Sequence, residues 1–301
     1  HTLRVRYADA TTGGATNIAT GDEALSPFKI AASYSGNDSD PAKGSATATL
    51  EGAAGNKLNV QILKQVVEAK SRKLSARWTF EAAQDAQAQQ GIDIEAEIMA
   101  ALAQEITAEI DQEILTSLRS LAGTAAGAFD QSAVSGTATF VGDEHAALAV
   151  LINEQANLIA QRTRRGAGNY AVVSSEALTI LQSATTSAFA RSTEGVFEAP
   201  TNTKFVGTLN NSMRVYVDGY AASGTDVLVG YKGSSEADAP AFYCPYIPLM
   251  SSGVVLDPST FEPVVSFLTR YGYVELSNTA SSLGNAADYL ARISVSNISF
   301  K

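Results

Sequence analysis

Carboxylates along one predicted helix are the residues of this chain best suited to bind a metal ion. They lie in the stretch from Phe80 to Leu121, whose Ala, Gln, Glu, Leu and Ile content favours helix, and they are Glu95, Glu97, Glu105, Glu109, Asp111 and Glu113. A di-metal carboxylate bundle needs Glu-x-x-His pairs on two facing helices, and the sequence contains none. We therefore predict a solvated or partner-facing acidic face, and no metal site.

Other chemistry-bearing residues are isolated from the partners that a reaction needs. His145 falls in the first turn of a predicted helix, where we expect it to be solvated, and His1 is the only other histidine. Ser174 and Ser175 have neither a G-x-S-x-G elbow nor an identifiable histidine partner. Gly166-Ala167-Gly168 follows a helix, whereas a phosphate-binding motif opens one. The single Cys244 excludes an internal disulfide and is expected to be a small packed side chain. The sequence predicts neither an active site nor a cofactor.

Composition narrows the class of protein further. The 301 residues are 45% hydrophobic, enough for one large or two modest domains. A formal net charge of -10 makes the chain a poor candidate for wrapping nucleic acid through its phosphates. No apolar run approaches the length needed to span a bilayer, and a single cysteine fits a reducing compartment.

The acidic stretch has an unusual apolar repeat. Gly91 is expected to interrupt the helix and Asp93 to cap a second, longer run. In that run apolar residues recur at every fourth position, at Ile94, Ile98, Leu102, Ile106, Ile110, Ile114 and Leu118. Four residues turn a helix by about 400°, so this stripe winds around the axis. The helix is therefore expected to meet different neighbours along its length, although an ordinary long core helix stays an alternative.

The first 79 residues predict a two-stranded arm. Leu3, Val5 and Tyr7 alternate with polar residues, as in an amphipathic strand, and a second strand-like segment runs from Lys57 to Thr79. The residues between them are rich in Gly, Ala, Ser, Thr and Asp and predict an exposed polar tip. A ribbon of two strands is marginal alone, so this arm needs a surface to lie against.

The rest of the chain mixes helices and strands. Helices are predicted at Asp143–Arg165, stopped by Gly166, and at Ser175–Ser183. Strands are predicted at Asn169–Ser174, Met213–Val217, Val227–Tyr231, Pro263–Leu276 and Arg292–Phe300, with broken extended chain over Ala241–Leu256. Connectors are predicted at Gly123–Gly142 and Ala184–Asn211. Because there is no regular βαβ repeat, the predicted class is α+β.

Charge is segregated between the arm and the long helix. Six cations lie near the base of the arm, at Lys57, Lys64, Lys70, Arg72, Lys73 and Arg77, whereas no basic residue lies between Arg77 and Arg119. The basic arm of one chain and the acidic helix of another would be complementary. Two ordinary solvated faces explain the same pattern equally well.

Several collinear segments resemble the major capsid proteins of T4-like tailed bacteriophages, which have the HK97-like fold. These segments are Gln65–Leu74, Ala83–Asp85 with Gly91–Glu97, Glu105–Leu115, Gln161–Asn169, Met213–Tyr220, Gly230–Gly233, Phe242–Tyr246, Asp257-Pro258 and Phe261–Gly272. None is a catalytic motif, but their order and rough spacing match that family over most of the chain.

The resemblance implies an assignment for each region. Residues 1–79 would be the extended-loop arm, 80–170 a peripheral domain bearing a long spine helix, 171–256 an axial domain, and 257–301 return strands of the peripheral domain. Two features depart from the family. The domain inserted in the extended loop is replaced by a short low-complexity stretch over residues 30–56. The family also has an N-terminal arm before the stretch that resembles Leu3–Tyr7; a prohead protease trims that N-terminus in the family, and the arm is expected either to have been cleaved or to lie outside this sequence.

The implied function is structural and not enzymatic. Copies would form hexamers and pentamers of an icosahedral virion shell, assembled in the bacterial host cytoplasm and enclosing double-stranded DNA without sequence-specific contacts. Portal, vertex, scaffold and decoration proteins would be partners, and a membrane would not. An encapsulin-like compartment shell and a soluble α+β enzyme are the alternatives.

The predicted contacts between subunits combine the charge pattern with this assignment. The cations are Arg72, Lys73 and Arg77 of the arm, their acidic partners on a neighbouring subunit are Glu105, Glu109 and Glu113, and Arg162, Arg164 and Arg165 form a further contact. Reversing Glu109 to Lys is then expected to impair assembly without unfolding the subunit.

Overall fold

The computed structural model describes residues 2–11, 18–22, 24, 34–36, 44–52, 54–134, 141–184, 189–191, 204–210, 212–236, 238–276 and 286–298. The helices are α1 (Thr47–Leu50), α2 (Phe80–Gln90), α3 (Ile94–Leu121), α4 (Gln131–Val134), α5 (Val141–Thr163) and α6 (Ser175–Ser183). The strands are β1 (Thr2–Tyr7), β2 (Leu58–Leu63), β3 (Lys70–Arg77), β4 (Gly127–Asp130), β5 (Tyr170–Ser174), β6 (Phe189–Arg191), β7 (Lys204–Leu209), β8 (Met213–Asp218), β9 (Val227–Gly230), β10 (Ala241–Ser251), β11 (Val255–Leu256), β12 (Pro263–Glu275) and β13 (Leu290–Ser296).

The chain folds into two compact units whose boundaries differ from the four predicted regions. Unit 1 comprises residues 1–65, 121–240 and 276–301, and unit 2 comprises residues 66–120 and 241–275. The predicted arm ends earlier than residue 79, because β3 pairs with β12 and not with β1. For the same reason β10 leaves the predicted axial region at residue 241 and joins the sheet that contains β12.

A seven-stranded mixed sheet organises unit 1, in the order β4-β13-β9-β5-β8-β7-β6. The β4–β13 and β5–β8 pairs are parallel and the others are antiparallel. Strands β4, β6 and β7 lie in stretches that we predicted to be connectors. Strand β4, Gly-Ala-Phe-Asp, is short and carries little local signal, and it is held by register with β13, whose Val295 lies opposite Phe129. Strand β7 contains the strand-favouring Phe205 and Val206 and pairs with the next strand, β8.

Helices α5 and α6 pack on this sheet and form the main core of unit 1. Apolar side chains of α5 such as Leu148, Ile152 and Ile159 are fully buried against sheet residues including Phe129 and Ile293. The spacing i, i+4, i+11 places the three helix residues on one face. The predicted strand–helix junction is present, with the Ser174 side chain accepting a hydrogen bond from the amide of Ala177 at the start of α6.

The first strand and the segment after Lys57 pair as predicted. Strands β1 and β2 are antiparallel, with Thr2 opposite Leu63 and Tyr7 opposite Leu58. Most of the predicted tip lies outside the described residues. Its described part packs Tyr34, Ile18 and Ala24 around Tyr7, which supplies one end of the ribbon with the small core that two strands alone lack.

Unit 2 is a sheet covered on one face by the long helix. Strand β12 is central, with β3 on one edge and β10 and β11 on the other. The predicted break before α3 is present: Gly91 takes a left-handed backbone with φ 67°, and the Asp93 side chain accepts a hydrogen bond from the amide of Glu95. The outer strand β10 contains Pro245 and Pro248 and two register shifts, features that protect an edge against strand addition.

None of the helices in the described part of the chain is both long enough and apolar enough to span a bilayer.

Candidate subunit-interaction surfaces

The N-terminal half of α3 is attached to the sheet of unit 2 by apolar packing. Leu102 and Ile106 are buried against Val265 and Phe267 of β12, and Leu74, Ala76 and Trp78 complete the cluster from the β3 segment. Alternate residues of β3 therefore face the helix. The intervening residues Lys73, Ser75 and Arg77 are exposed on the opposite face of the sheet.

The C-terminal half of α3 receives side-chain hydrogen bonds from Arg72 of β3. The Arg72 guanidinium donates from Nη1 to Glu109 Oε2 at 2.7 Å, from Nη2 to Glu113 Oε2 at 2.5 Å, and from Nε to the Tyr271 hydroxyl at 2.7 Å. The Tyr271 hydroxyl in turn donates to Glu113. Arg72 thus pairs with two of the acids that we predicted, but in its own chain. The apolar face of β3 brings the guanidinium over α3, a proximity that spacing along the sequence does not reveal.

Hydrogen bonding among Arg72, Glu113 and Tyr271 shifts the pKa values of these side chains. Donation from Arg72, followed by donation from Tyr271, lowers the pKa of Glu113 below its usual value. The same contacts raise the pKa of Arg72, with the hydrogen bond to Glu113 as the largest cause. Burial raises the pKa of Tyr271. The charged forms of Arg72 and Glu113 are therefore the stable ones at neutral pH.

This shift predicts acid sensitivity for unit 2. Because the pKa of Glu113 is depressed in the folded state, its contribution is present above about pH 4.5 and is lost as the pH falls through the folded-state pKa. At pH 7 we expect Glu113→Gln to lower the free energy of unfolding by up to about 1 kcal/mol, discounted for solvent exposure. The difference from wild type should shrink as the pH falls below about 4.5, measured by urea unfolding with Trp78 fluorescence. A difference that stays constant with pH would contradict this account.

Lys73 and Arg77 lie on the outer face of the same sheet, where they are more exposed than Arg72. The side chain of Arg77 is 70% exposed, and its Nη1 lies 3.7 Å from Glu262 Oε2, a loose ion pair. Lys73 is exposed on the same face. On α3, Glu105 is exposed and belongs to the acidic side of the helix. The structure therefore leaves Lys73, Arg77 and Glu105 on outward surfaces, and their predicted contacts with a neighbouring subunit stay a prediction.

Three arginines end the α5 segment, but one of them is paired within the chain. Arg165 Nη1 donates to Asp238 Oδ1 at 2.6 Å, and the hydroxyls of Tyr289 and Tyr231 donate to the same carboxylate at 3.1 and 3.3 Å. The hydrogen bond to Asp238 raises the pKa of Arg165. Arg162 is half-buried and Arg164 is exposed, so Arg164 is the member of this set best placed to meet another molecule.

The end of α5 corrects the predicted role of Gly166. The helix ends at Thr163 and the left-handed residue is Arg164, with φ 50°. Gly166 is instead required for close packing, because a Cβ atom there would lie 2.7 Å from Cε2 of Tyr231.

An apolar row runs along the ribbon. Alternate residues of β2 share one face, and their exposed fraction rises from 51% at Leu58 to 63% at Val60 and 71% at Ile62. The sequence predicts a strand-like segment here, but burial of these side chains depends on what covers them, and in the single subunit they are left exposed. Large apolar side chains at such exposure are typical of a surface that a partner covers.

Residues that could have carried out catalysis are placed in structural roles. His145, which we expected to be solvated, is 2% exposed because α6 packs against α5, and its Nδ1 contacts the Ser183 hydroxyl. Cys244 is half-buried in β10, opposite Gly272. Within the described residues, no group of three or more His, Cys, Asp or Glu side chains is arranged to hold a metal ion.

Known proteins share both the sequence and the fold. The chain is 36% identical over 259 residues to the major capsid protein of Vibrio phage KVP40, covering 78% of this chain and 50% of that protein. It is 37% identical over 236 residues to the major capsid protein of Enterobacteria phage T4, covering 72% of this chain and 44% of that protein. The chain thus spans about half the length of the curated relatives it matches.

Solved structures with a similar fold come from other phages. A chain of Microbacterium phage Oxtober96 has a TM-score of 0.50 at 12% identity, with 98% of this chain and 86% of that chain covered. A chain of Mycobacterium phage Cain has a TM-score of 0.50 at 11% identity, with 99% and 86% covered. The predicted α+β class and HK97-like fold are confirmed.

A family model described as major capsid protein Gp23 matches residues 3–295. Because this match spans nearly the whole chain, the protein belongs to the family of the phage major capsid protein Gp23.

Proposed function

We propose that this chain is the shell-forming part of a phage head protein, a structural protein and not an enzyme. Copies associate into hexamers and pentamers and close into an icosahedral shell that encloses double-stranded DNA. The observation that carries the proposal is the family match over residues 3–295. The acidic net charge agrees with a wall that holds its DNA without sequence-specific contacts.

Assembly would take place in the bacterial host cytoplasm, and the product would be the capsid of the virion. A closed head also needs a portal and vertex proteins, and scaffold and decoration proteins would act on the same shell. Each interface between copies can be weak, because the shell multiplies it many times.

Electron microscopy and sedimentation of the purified full chain test this function. Closed shells, tubes or hexamer sheets would support it, and DNA inside shells from infected cells would separate a virion from an enzyme-filled compartment. A chain that stays monomeric at high concentration, with and without the other head proteins, would refute it.

The exposed charged residues Lys73, Arg77 and Glu105 are our proposed contact between subunits in this assembly. In our proposal Lys73 and Arg77 on the sheet of one subunit face the acidic side of α3, including Glu105, on its neighbour. This revises the expectation for Glu109, because Glu109 already accepts a hydrogen bond from Arg72 of its own chain and its reversal would disturb the subunit as well. The ribbon would lie on a neighbouring subunit through Val60 and Ile62, and Arg162, Arg164 and Arg165 would border another contact, with Arg164 as its exposed member.

Charge reversal at Glu105 separates assembly from folding. We expect Glu105→Lys to weaken the association between subunits about tenfold, because like charges then face each other across the contact. The free energy of unfolding should stay within about 0.5 kcal/mol of wild type, since Glu105 is exposed. Light scattering during assembly and urea unfolding measure the two effects.

Two further variants control this test. Glu154→Lys makes the same charge change at an exposed position of α5 and should assemble as wild type does. Adding Lys73→Glu to Glu105→Lys should restore assembly if the two residues face each other. Normal assembly by Glu105→Lys alone would rule out the pairing.

A further inference from the structure

A tight turn between β11 and β12 presents an exposed aromatic ring. The Asp257 side chain accepts hydrogen bonds from the amide and the hydroxyl of Ser259 at 2.9 and 2.7 Å. The amide of Phe261 donates to the Asp257 carbonyl at 2.8 Å, and the Asp257 amide donates to the Glu262 carbonyl at 3.0 Å. Four hydrogen bonds therefore fix the path of this short turn.

Phe261 adopts an unfavourable backbone conformation in this turn. Its φ is 55°, in the left-handed region that Gly and Asn tolerate and bulky residues rarely occupy. Its side chain is nevertheless 69% exposed, so burial in the subunit does not offset the strain. A strained residue held by its surroundings is a reason to look for a function of its side chain.

A second exposed aromatic ring lies beside it. Phe80, the first residue of α2, is 42% exposed, and its ring centroid lies 5.9 Å from that of Phe261. The adjoining strand β11 ends at Leu256, which is also exposed. We call Phe80 and Phe261 the aromatic platform. It belongs to one end of the sheet in unit 2.

The border of the platform carries both signs of charge side by side. Arg77 Nη1 lies 3.7 Å from Glu262 Oε2, a loose ion pair. Its positive charge also reaches Asp257, whose pKa is lowered mainly by the backbone and side-chain hydrogen bonds of Ser259. A strongly acidic or strongly basic partner would meet repulsion from one of these groups. A second copy carries the same mixed border, and this border is self-complementary when Arg77 of one copy lies against Glu262 of the other.

We propose that the aromatic platform is a self-contact, in which Phe261 of one subunit packs against the same platform of a second copy of this chain. The inference rests on the proposed function, because a shell-forming chain meets other copies of itself at high local concentration. The hydrogen-bonded turn fixes the backbone of Phe261 before association, so little backbone freedom is lost on contact.

Three substitutions at one position test the contact. Phe261→Gly and Phe261→Asn suit the backbone and remove the ring, whereas Phe261→Tyr keeps both the ring and the strain. We expect Gly and Asn to weaken self-association about tenfold, as for an aromatic anchor at an interface, and Tyr to associate as wild type does. The free energy of unfolding should instead depend on the strain at φ 55°. Phe261→Gly relieves that strain and should be at least as stable as wild type. Sedimentation velocity over a concentration series and urea unfolding of the full chain measure these two properties.

The outcomes separate this contact from the proposed function. Wild-type chain that never associates refutes the proposed function, and this contact with it. Wild-type chain that assembles while Phe261→Gly assembles equally well refutes the contact alone. Loss of association together with loss of subunit stability in Phe261→Gly assigns the ring to packing within the subunit, against Phe80, and also refutes the contact.

Discussion

Replacing both Val60 and Ile62 with aspartate is expected to abolish shell assembly while leaving the folded subunit intact. These side chains are 63% and 71% exposed on one face of β2, so charging both should change the free energy of unfolding by no more than about 1 kcal/mol. In a shell they would be covered by a neighbouring subunit, and burying two unpaired carboxylates in each such contact is strongly unfavourable. Repetition of the contact across the lattice turns that cost into complete loss of shells.

The opposite face of the same strand supplies the matched control. Asn59 and Gln61 are also exposed and alternate with the apolar row. Asn59→Asp with Gln61→Asp adds the same charge to the same strand and should still yield shells in electron micrographs. If both double variants assemble, the apolar face of β2 is not covered in the shell. If neither assembles, the added charge and not the face is responsible.

Removing the Arg72 side chain is expected to give the largest loss of subunit stability among the charged residues discussed above. Arg72→Ala takes away three hydrogen bonds to Glu109, Glu113 and Tyr271 and leaves two carboxylates one helical turn apart. Both acids are more than a third exposed, so solvent offsets part of the loss. We expect a decrease of about 1–2 kcal/mol in the free energy of unfolding of unit 2.

Trp78 provides the measurement, because it is the single tryptophan and packs in the apolar cluster of unit 2. Its fluorescence during urea unfolding should give a lower midpoint for Arg72→Ala. Arg72→Lys should fall between that variant and wild type, since an ammonium keeps the charge but not the three-way fork. Lys73→Ala, one residue away on the exposed face, should change stability by no more than about 0.5 kcal/mol. Equal losses from Arg72→Ala and Lys73→Ala would contradict the network.

Local patterns predicted the elements whose identity depends on residues close in sequence. The Gly91 break and the bounds of α6 follow from backbone preference and capping, which act within one or two turns. The alternation at Val5 and Tyr7 likewise predicted a strand, and the structure pairs it with β2. Strand β4 was missed because its partner β13 is distant in sequence and its residues Gly-Ala-Phe-Asp carry no strong preference. Strands β6 and β7 were missed because the Ser, Thr, Gly and Asn residues around them indicated a loop, although Phe205 and Val206 favour a strand.

For the candidate interaction surfaces, too, the sequence predicted one part and the structure was needed for the rest. Charge segregation correctly drew attention to the cations of β3 and the acids of α3, because composition is visible in a sequence. It could not separate Arg72, which pairs within its own chain, from Lys73 and Arg77, which face outward. That distinction depends on the alternation of β3 once it is paired with β12 and covered by α3. Phe261 was missed as a surface residue because its exposure and positive φ arise only when the turn closes.

By itself the sequence determined the α+β class, the long helix after Gly91, the acidic character of the chain and, through its collinear segments, the capsid family. Only the tertiary structure decided which strands share a sheet, where the two units divide and which apolar and charged side chains are left uncovered. The physical reason is the range of the interactions. Helix propensity, capping and alternation act between residues near one another in the chain, whereas strand pairing and burial depend on segments nearly 200 residues apart, such as Arg72 and Tyr271.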